Sequence, residues 1–169
     1  VDYAFDEFLA VGYHVSSAYT VVKDPGKVNF SYRDNLWQGS DLLATGIASF
    51  GHVSGVHYQN LSGWDDYIKP LTEESRLPLG RALRPTSHQA LIREMILQLK
   101  RGYLDASRFR EKFDTDILDE WREQWESYAA DEMLSIDGDR IQLTRKGLLH
   151  ADALLPAFFE PQHQGVRYT

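Results

Sequence analysis

Residues 86–102 read TSHQALIREMILQLKRG and carry the clearest structural signal in the chain. Thr86 and Gln89 have the spacing of a capping box, in which each side chain accepts a hydrogen bond from the backbone N–H of the other residue. Gly102 supplies a typical helix end. The apolar residues between them recur at helical spacing: Leu91, Ile92, Met95, Ile96 and Leu99. This stretch therefore predicts a helix that buries one face in a hydrophobic core.

The sequence after this helix predicts two more helices, a hairpin and a final helix. Asp105 is placed to cap a helix that ends at Phe113, and Asp116 is placed to cap the next one. The apolar face of that next helix consists of Leu118, Trp121, Trp125 and Tyr128. Asp137-Gly138, between two alternating segments, is typical of a hairpin turn, and Thr144 then begins the last helix. This order of elements resembles a winged-helix arrangement.

The N-terminal half predicts shorter elements separated by glycine and proline. Residues 2–11 have helical spacing and precede Gly12, so they predict a short helix, whereas the alternating residues 14–22 predict a strand. Short apolar pieces in residues 28–60 favour one or two strands with loops over a long helix. Repeated prolines in residues 61–86 favour a short helix and then an extended connection.

These elements indicate an α+β fold in two parts. The first, residues 1–80, contains short α/β elements, and the second, residues 81–169, is mainly helical and winged-helix-like. A chain of 169 residues is long enough to bury a sizeable hydrophobic core.

The charge of the chain disfavours several classes of partner. Its formal charge is −7, and residues 117–132 contain six acidic side chains against the single basic Arg122. Such surfaces repel phosphate, so neither nucleic acid nor an anionic membrane is the expected partner. The sequence lacks a long apolar run and a secretory signal pattern, which makes the cytoplasm the expected location.

Neither a metal site nor a nucleophile is predicted from the polar residues. The closest histidines, His52 and His57, are five residues apart and would point to opposite faces of a strand, so hydrogen-bonded histidines are favoured over metal ligands. Ser49, His52 and Asp65 could form a triad on paper, but the G-x-S-x-G pattern of a nucleophile elbow is missing.

The glycines of residues 46–55 leave two interpretations open. They fit a strand with a bulge and a turn, and they equally fit a backbone that a planar ligand approaches closely.

Residues 38–60 contain three short motifs, which are QGSDLL at 38–43, GIASF at 46–50 and YQN at 58–60. Together they resemble a segment of the oxygen-independent coproporphyrinogen III oxidases, which are radical S-adenosylmethionine enzymes. Residues 10–22 are similar to a strand entry late in the barrel of that family.

Residues 83–155, with IQLTRKG at 141–147, resemble the C-terminal helical domain of the same family. The resemblance covers nearly the whole chain but only about the last third of a family member. It implies that residues 1–80 are closing α/β elements of a partial barrel and that residues 81–169 cover the substrate.

The resemblance also implies where the cofactors belong. In the family a C-x-x-x-C-x-x-C loop upstream of this region holds a [4Fe–4S] cluster, and this sequence contains no cysteine. The chain is therefore expected to be a fragment without catalytic residues, metal or cofactor of its own. S-adenosylmethionine and the cluster would belong to the full-length parent.

Several site residues follow from the same resemblance. Gln38 and Phe50 match positions that face a second S-adenosylmethionine or the substrate pocket, while Gly46 and Gly51 would let a ligand approach the backbone. Asn60 closes the third motif and is a candidate substrate contact.

A tetrapyrrole with carboxylate arms needs cationic anchors, and the candidates by position are Arg33, Arg81 and Arg84. The alternative for each is an ordinary solvated surface arginine.

The leading hypothesis is thus the C-terminal part of a coproporphyrinogen III oxidase-like radical enzyme of tetrapyrrole metabolism, which binds and encloses substrate. The competing hypothesis is a non-catalytic adaptor whose acidic helical face binds a partner protein. The chain is expected to be a monomer, with pairing through the unclosed barrel edge as the alternative.

Overall fold

The computed structural model describes residues 1–165, and the chain forms two compact units. The terminal unit contains Val1–Ser31 together with the chain from Leu91 onward, and the central unit contains Tyr32–Ala90. Helices combine with small antiparallel sheets, and the described residues form no closed barrel, so the predicted α+β class is confirmed. Among the helices of residues 1–165, none combines the length and apolarity needed to cross a lipid bilayer.

The elements have the following bounds. The helices are α1 (Asp2–Ala10), α2 (Ser31–Trp37), α3 (Trp64–Thr72), α4 (Ser87–Leu99), α5 (Ala106–Phe113), α6 (Ile117–Glu120), α7 (Arg122–Ala130), α8 (Arg145–Leu149) and α9 (Ala151–Leu154). The strands are β1 (His14–Ser17), β2 (Thr20–Val22), β3 (Phe50–Val53), β4 (Val56–Asn60), β5 (Leu79–Leu83), β6 (Tyr103–Asp105), β7 (Leu134–Asp137) and β8 (Arg140–Leu143). Short 3-10 turns follow at Leu155–Phe158 and Pro161–His163.

Helix α4 begins with the capping box that the sequence predicts. The Thr86 amide donates to Oε1 of Gln89 at 3.0 Å, and the Gln89 amide donates to Oγ1 of Thr86 at 3.1 Å. The helix ends at Leu99, and Gly102 follows with a φ of +94°, a left-handed conformation that glycine adopts without strain. The predicted helix is confirmed at both ends.

The core of the terminal unit lies between α4, α5, α7, the sheet and the C-terminal helices. Its largest fully buried side chains include Trp125, Phe109, Phe158, Leu91, Met95, Leu99, Leu104, Ile117 and Ile141. Trp125 packs against Phe158 with ring centroids 4.5 Å apart, and its indole N–H donates to the Ile117 carbonyl at 2.7 Å. The buried indole therefore has both an apolar and a polar partner.

The predicted caps and hairpin of the terminal unit are confirmed. Asp105, Asp116 and Thr144 each accept a hydrogen bond from a backbone N–H in the first turn of α5, α6 and α8. Strands β7 and β8 form the antiparallel hairpin, which Gly138 helps to turn with a φ of +55°, and β8 also pairs with β6. The comparison with a winged helix stays a prediction.

Some element predictions are wrong in detail. Residues 14–22 form the hairpin β1–β2 instead of one strand, because Ser17 turns the chain by accepting a hydrogen bond from the Tyr19 amide at 3.2 Å. Residues 31–37 form α2, where strands and loops were expected. The predicted third helix divides at Trp121, whose φ of −120° and ψ of 38° separate α6 from α7.

The first 31 residues group with the C-terminal part of the chain. The Ala18 amide donates to the Lys100 carbonyl at 2.9 Å, and the Tyr19 hydroxyl donates to the carboxylate of Asp152. Arg145 pairs with Asp2 at 2.6 Å and also with Asp6. The division at residue 80 that the sequence predicts differs from these compact units and stays a prediction.

The central unit is built on the antiparallel sheet β3–β4–β5, with α2 and α3 as its helices. Strands β3 and β4 form a hairpin in which Phe50 pairs with Gln59 and Gly51 pairs with Tyr58. On the other side of β4, Gln59 pairs with Arg81. Of the residues that the sequence predicts as a binding site, Phe50, Gly51, Asn60 and Arg81 therefore lie on this sheet, and Gly46 lies on the loop that precedes it.

Candidate functional site

The candidate site is the loop of residues 41–49 and the sheet that follows it. Two tyrosine hydroxyls hold the loop, because the Ala44 amide donates to Tyr58 Oη at 2.8 Å and the Gly46 amide donates to Tyr67 Oη at 2.9 Å. The Ala48 amide donates to the Leu61 carbonyl at 2.9 Å. The loop thus has a defined conformation although it forms no regular element.

Asn60 is the buried centre of this arrangement. Its side chain is only 5% exposed, and Nδ2 donates to the carbonyls of Ala44 at 3.3 Å and Gly46 at 3.0 Å. Nε2 of the neighbouring Gln59 donates to the Ala48 carbonyl at 3.0 Å. The YQN motif therefore holds the loop through all three of its side chains, and the predicted substrate role of Asn60 stays a prediction.

The two glycines of the predicted ligand approach have different surroundings. Gly46 has a φ of +96°, which explains its identity by backbone conformation alone. A Cβ on Gly51 would lie 2.2 Å from Cζ of Tyr58, so the absent side chain leaves room for the tyrosine ring. An aromatic ring laid across a cross-strand glycine is a recurrent way of stabilising a sheet.

Phe50 and Arg81 form the most open part of the site. The Phe50 side chain is 64% exposed, and the Arg81 guanidinium lies 5.9 Å from the centre of its ring. Nε of Arg81 donates to Oε1 of Gln59 at 2.7 Å, which fixes the guanidinium beside the ring. One face of the sheet therefore presents an aromatic surface with a cation held against it.

The remaining predicted residues lie on α2, directly after α2 and directly after β5. Arg33 is in α2, where its Nε lies 2.8 Å from Oδ1 of Asp34 and its guanidinium lies over the Trp37 ring. Gln38 follows α2, and its amide continues the helical hydrogen bonding to the Asp34 carbonyl. Arg84 is exposed directly after β5. The structure brings Phe50 to Arg81, but the contacts described for Arg33 and Gln38 are local to α2.

The expectation that His52 and His57 point to opposite faces is wrong. The turn at Ser54-Gly55 reverses the chain, so the two histidines are directly paired across the hairpin, with ring centroids 4.6 Å apart. Within residues 1–165 there is no group of three or more His, Cys, Asp or Glu side chains arranged to hold a metal ion. Ser49 donates its hydroxyl to the Thr45 carbonyl at 2.8 Å, which is a structural bond within the loop.

Tyr67 is a site residue that the sequence reasoning missed. It lies on α3 and reaches the Gly46 amide across 21 positions of sequence. No local pattern connects a helix residue to a distant loop, so only the tertiary structure reveals the contact. Tyr58 belongs to the YQN motif, but its role in filling the space at Gly51 depends on the hairpin register.

Comparisons with known proteins give a family match for the second half of the chain. Residues 86–150 match the family model of the HemN C-terminal domain. None of the curated protein sequences matches the chain significantly. A solved structure of coproporphyrinogen III oxidase (HemN) from Escherichia coli, described as a radical SAM enzyme, is similar with a TM-score of 0.72 at 19% identity.

That structural similarity extends over 92% of this chain but only 39% of the Escherichia coli protein. At this identity it establishes the fold, and it extends into the central unit, which the family model reaches only at residues 86–90. Residues 86–150 therefore match the HemN C-terminal domain, and 92% of the chain has a fold similar to the matching part of a coproporphyrinogen III oxidase.

Proposed function

We propose that the chain is the C-terminal, non-catalytic part of a coproporphyrinogen III oxidase-like radical S-adenosylmethionine enzyme. The observation that carries the proposal is the match of residues 86–150 to the HemN C-terminal domain. The similar fold over 92% of the chain and the motifs of residues 38–60 support it further. In this role the chain binds and encloses a tetrapyrrole, which keeps water away from a reactive intermediate.

The residues present do not fit an iron–sulfur cluster. Such clusters are held by cysteine thiolates, and the 169 residues contain no cysteine. The cluster and the S-adenosylmethionine bound to it would therefore belong to another part of the parent polypeptide. This chain contributes a surface, and its location with the parent would be the cytoplasm.

Phe50 and Arg81 are the strongest candidates for substrate contact. The ring of Phe50 is exposed enough to stack on a planar macrocycle, and Arg81 beside it can pair with a carboxylate arm. The amide groups of Ala44 and Gly46 are already bonded to tyrosines, and Tyr58 fills the space at Gly51. A second S-adenosylmethionine would consequently meet the open aromatic face rather than the loop backbone.

The first test is the natural reading frame that encodes this chain. We expect it to extend upstream and to encode a C-x-x-x-C-x-x-C motif in the same polypeptide. Intact mass of the protein purified from its native source provides an independent measurement. A native polypeptide that begins at Val1 would overturn the proposal.

A second test measures substrate contact in the longer polypeptide. Replacing Arg81 by alanine should raise KM for a tetrapyrrole tetracarboxylate more than it changes kcat, because a lost ion pair weakens binding. Arg122→Ala, which removes an exposed arginine from the terminal unit, is the matched control. Equal kinetics of the two variants would remove Arg81 from the site.

One observation favours the adaptor as a second candidate. The acidic side chains of α6, α7 and the segment after them are exposed, namely Asp119, Glu120, Glu123, Glu126, Asp131 and Glu132. They form a negative surface suited to a basic protein partner. We propose that the chain is monomeric. Size-exclusion chromatography tests this and shows whether a second copy of the chain is the partner. Charge reversal at Glu123 and Glu126 should abolish binding to a basic partner but leave tetrapyrrole binding unchanged.

A further inference from the structure

The hairpin β3–β4 places two imidazoles side by side at its centre. Both backbone groups of His52 bond to Leu42, with N–O distances of 2.6 and 2.9 Å. Because these groups point away from β4, His52 and His57 form a non-hydrogen-bonded pair of the hairpin. In such pairs the Cα atoms and the side chains are closest.

The ring geometry is compatible with two ligands on one ion. The ring centroids are 4.6 Å apart with an interplanar angle of 38°. A tetrahedral zinc ion with Zn–N bonds of about 2.1 Å needs its two nitrogens about 3.4 Å apart, a separation comparable to the 4.6 Å between the ring centroids. Each imidazole has two nitrogens, so one can bind the ion while the other keeps a hydrogen bond.

The two histidines have apolar neighbours on both sides, and a carboxylate lies at the hairpin turn. Leu42 and Leu83 are the cross-strand neighbours of His52 and His57, so the histidines lie in a row between two leucines. Both histidines are half-buried, which limits competition from water. At the hairpin turn, Oδ1 of Asp41 accepts a hydrogen bond from the Ser54 amide and adds a negative charge.

The next row of residues on the same face of the sheet repels a bound cation only weakly. Its arginine, Arg81, is held beside Phe50 and Gln59 rather than over the histidines. The formal charge of the whole chain is −7, which favours cations in general.

We propose that His52 and His57 bind a late first-row transition metal ion, of which zinc is the representative, with water completing the coordination. Imidazole is a preferred ligand of zinc, copper and nickel, whereas a hard cation such as magnesium needs oxygen ligands. Two protein ligands hold the ion more weakly than the three or four of catalytic and structural zinc sites. The site is thus accessible and exchangeable, and it does not depend on the proposed tetrapyrrole function.

The test is calorimetric titration of the 169-residue chain with zinc chloride, together with thermal unfolding with and without the metal. We expect one ion per chain and a rise in Tm with zinc. His52→Gln and His57→Gln should each weaken zinc binding by about tenfold or more and abolish the rise. His14→Gln, which removes an exposed histidine of β1, should bind zinc as the unmodified chain does.

A ligand exchange separates coordination from packing. His57→Cys, measured under reducing conditions, should retain zinc binding because a thiolate is a strong zinc ligand, although its shape differs from that of imidazole. Circular dichroism without metal shows whether each variant is folded. Absence of zinc binding by the unmodified chain, equal binding by His52→Gln, or loss of binding in a folded His57→Cys would each overturn the proposal.

Discussion

At the scale of single residues, two glycines of the candidate site are required for different reasons. One adopts a positive φ, and the other leaves space for a neighbouring side chain. Gly46 adopts a left-handed conformation, whereas Gly51 is small because the Tyr58 ring occupies the space beside it. The second requirement is purely steric, and it is set by a residue on the neighbouring strand. The motif therefore encodes the internal packing of the site as well as any room for a ligand.

Gly51→Ala should destabilise the central unit by about 1–3 kcal/mol, because the new Cβ overlaps the Tyr58 ring. Urea unfolding followed by circular dichroism measures the change. Gly80→Ala is the matched control in the same sheet, since its Cβ would meet its neighbours only at ordinary contact distances of 3.4 Å. Equal destabilisation by both substitutions would contradict the steric explanation.

Asn60→Ala removes the donors that two loop carbonyls share. It should cost about 1–3 kcal/mol, because the partly buried carbonyls of Ala44 and Gly46 lose a hydrogen-bond partner. Hydrogen exchange should accelerate at residues 44–49 more than in α4. Uniform acceleration across the chain would show that Asn60 supports the whole fold instead of the loop.

At the scale of elements, a buried carboxylate fixes how α4 packs on α5. The Glu94 side chain is 3% exposed and contacts Nε of Arg108 at 3.3 Å and Nζ of Lys112. Gln98, one turn further along α4, donates to the same carboxylate at 3.0 Å. A charge buried this deeply is tolerated because both cations and the amide surround it.

Glu94→Ala should lower the free energy of unfolding by about 1.5–3 kcal/mol, which is typical for hydrogen bonds to charged groups. The value stays moderate because Arg108 and Lys112 are partly exposed and can regain water. Glu111→Ala, an exposed acidic residue of α5, should change stability by less than about 0.5 kcal/mol. Thermal unfolding of the two variants provides the comparison.

Sequence reasoning succeeded for elements whose signals are local. Capping residues such as Thr86, Asp105 and Thr144 act within one helical turn, so their spacing is visible in the chain itself. The pairing of His52 with His57 depends on hairpin register, and the contact of Tyr67 with Gly46 depends on tertiary packing. Sequence spacing alone therefore does not predict these two features of the candidate site.

At the scale of the whole molecule, the N-terminal hairpin is joined to the C-terminal helices by a polar cluster. Tyr19 donates its hydroxyl to Oδ1 of Asp152, and Nζ of Lys100 lies 3.2 Å from the same oxygen. Burial and the bond to Asp152 raise the pKa of Tyr19. The bond from Tyr19, assisted by Lys100 and opposed by burial, lowers the pKa of Asp152.

These pKa shifts predict losses of stability at both ends of the pH range. The contribution of Asp152 is present above its ordinary pKa of 3.8 and is lost as pH falls through its lower folded-state pKa. The contribution of Tyr19 is present below its ordinary pKa of 10.0 and is lost as pH rises towards its higher folded-state pKa. Stability should therefore be greatest between these two values.

Tyr19→Phe should reduce both pH-dependent losses, because it removes the titrating hydroxyl and the bond that lowers the pKa of Asp152. Urea unfolding between about pH 2 and pH 11 measures the two limbs. Tyr32→Phe, at an exposed tyrosine outside this cluster, should leave them unchanged. Identical pH profiles for Tyr19→Phe and the unmodified chain would show that the cluster does not control the pH dependence.

The position of each unit along the chain also determines when that unit can fold during synthesis. The central unit is one continuous segment, so all of its residues have left the ribosome soon after Ala90 is added. The terminal unit joins the first 31 residues to segments beyond Leu91. Tyr19 and Asp2 can therefore contact Asp152 and Arg145 only after those later residues have been synthesised. Helix α1 and the hairpin β1–β2 therefore lack their packing partners at the stage when the central unit can already fold.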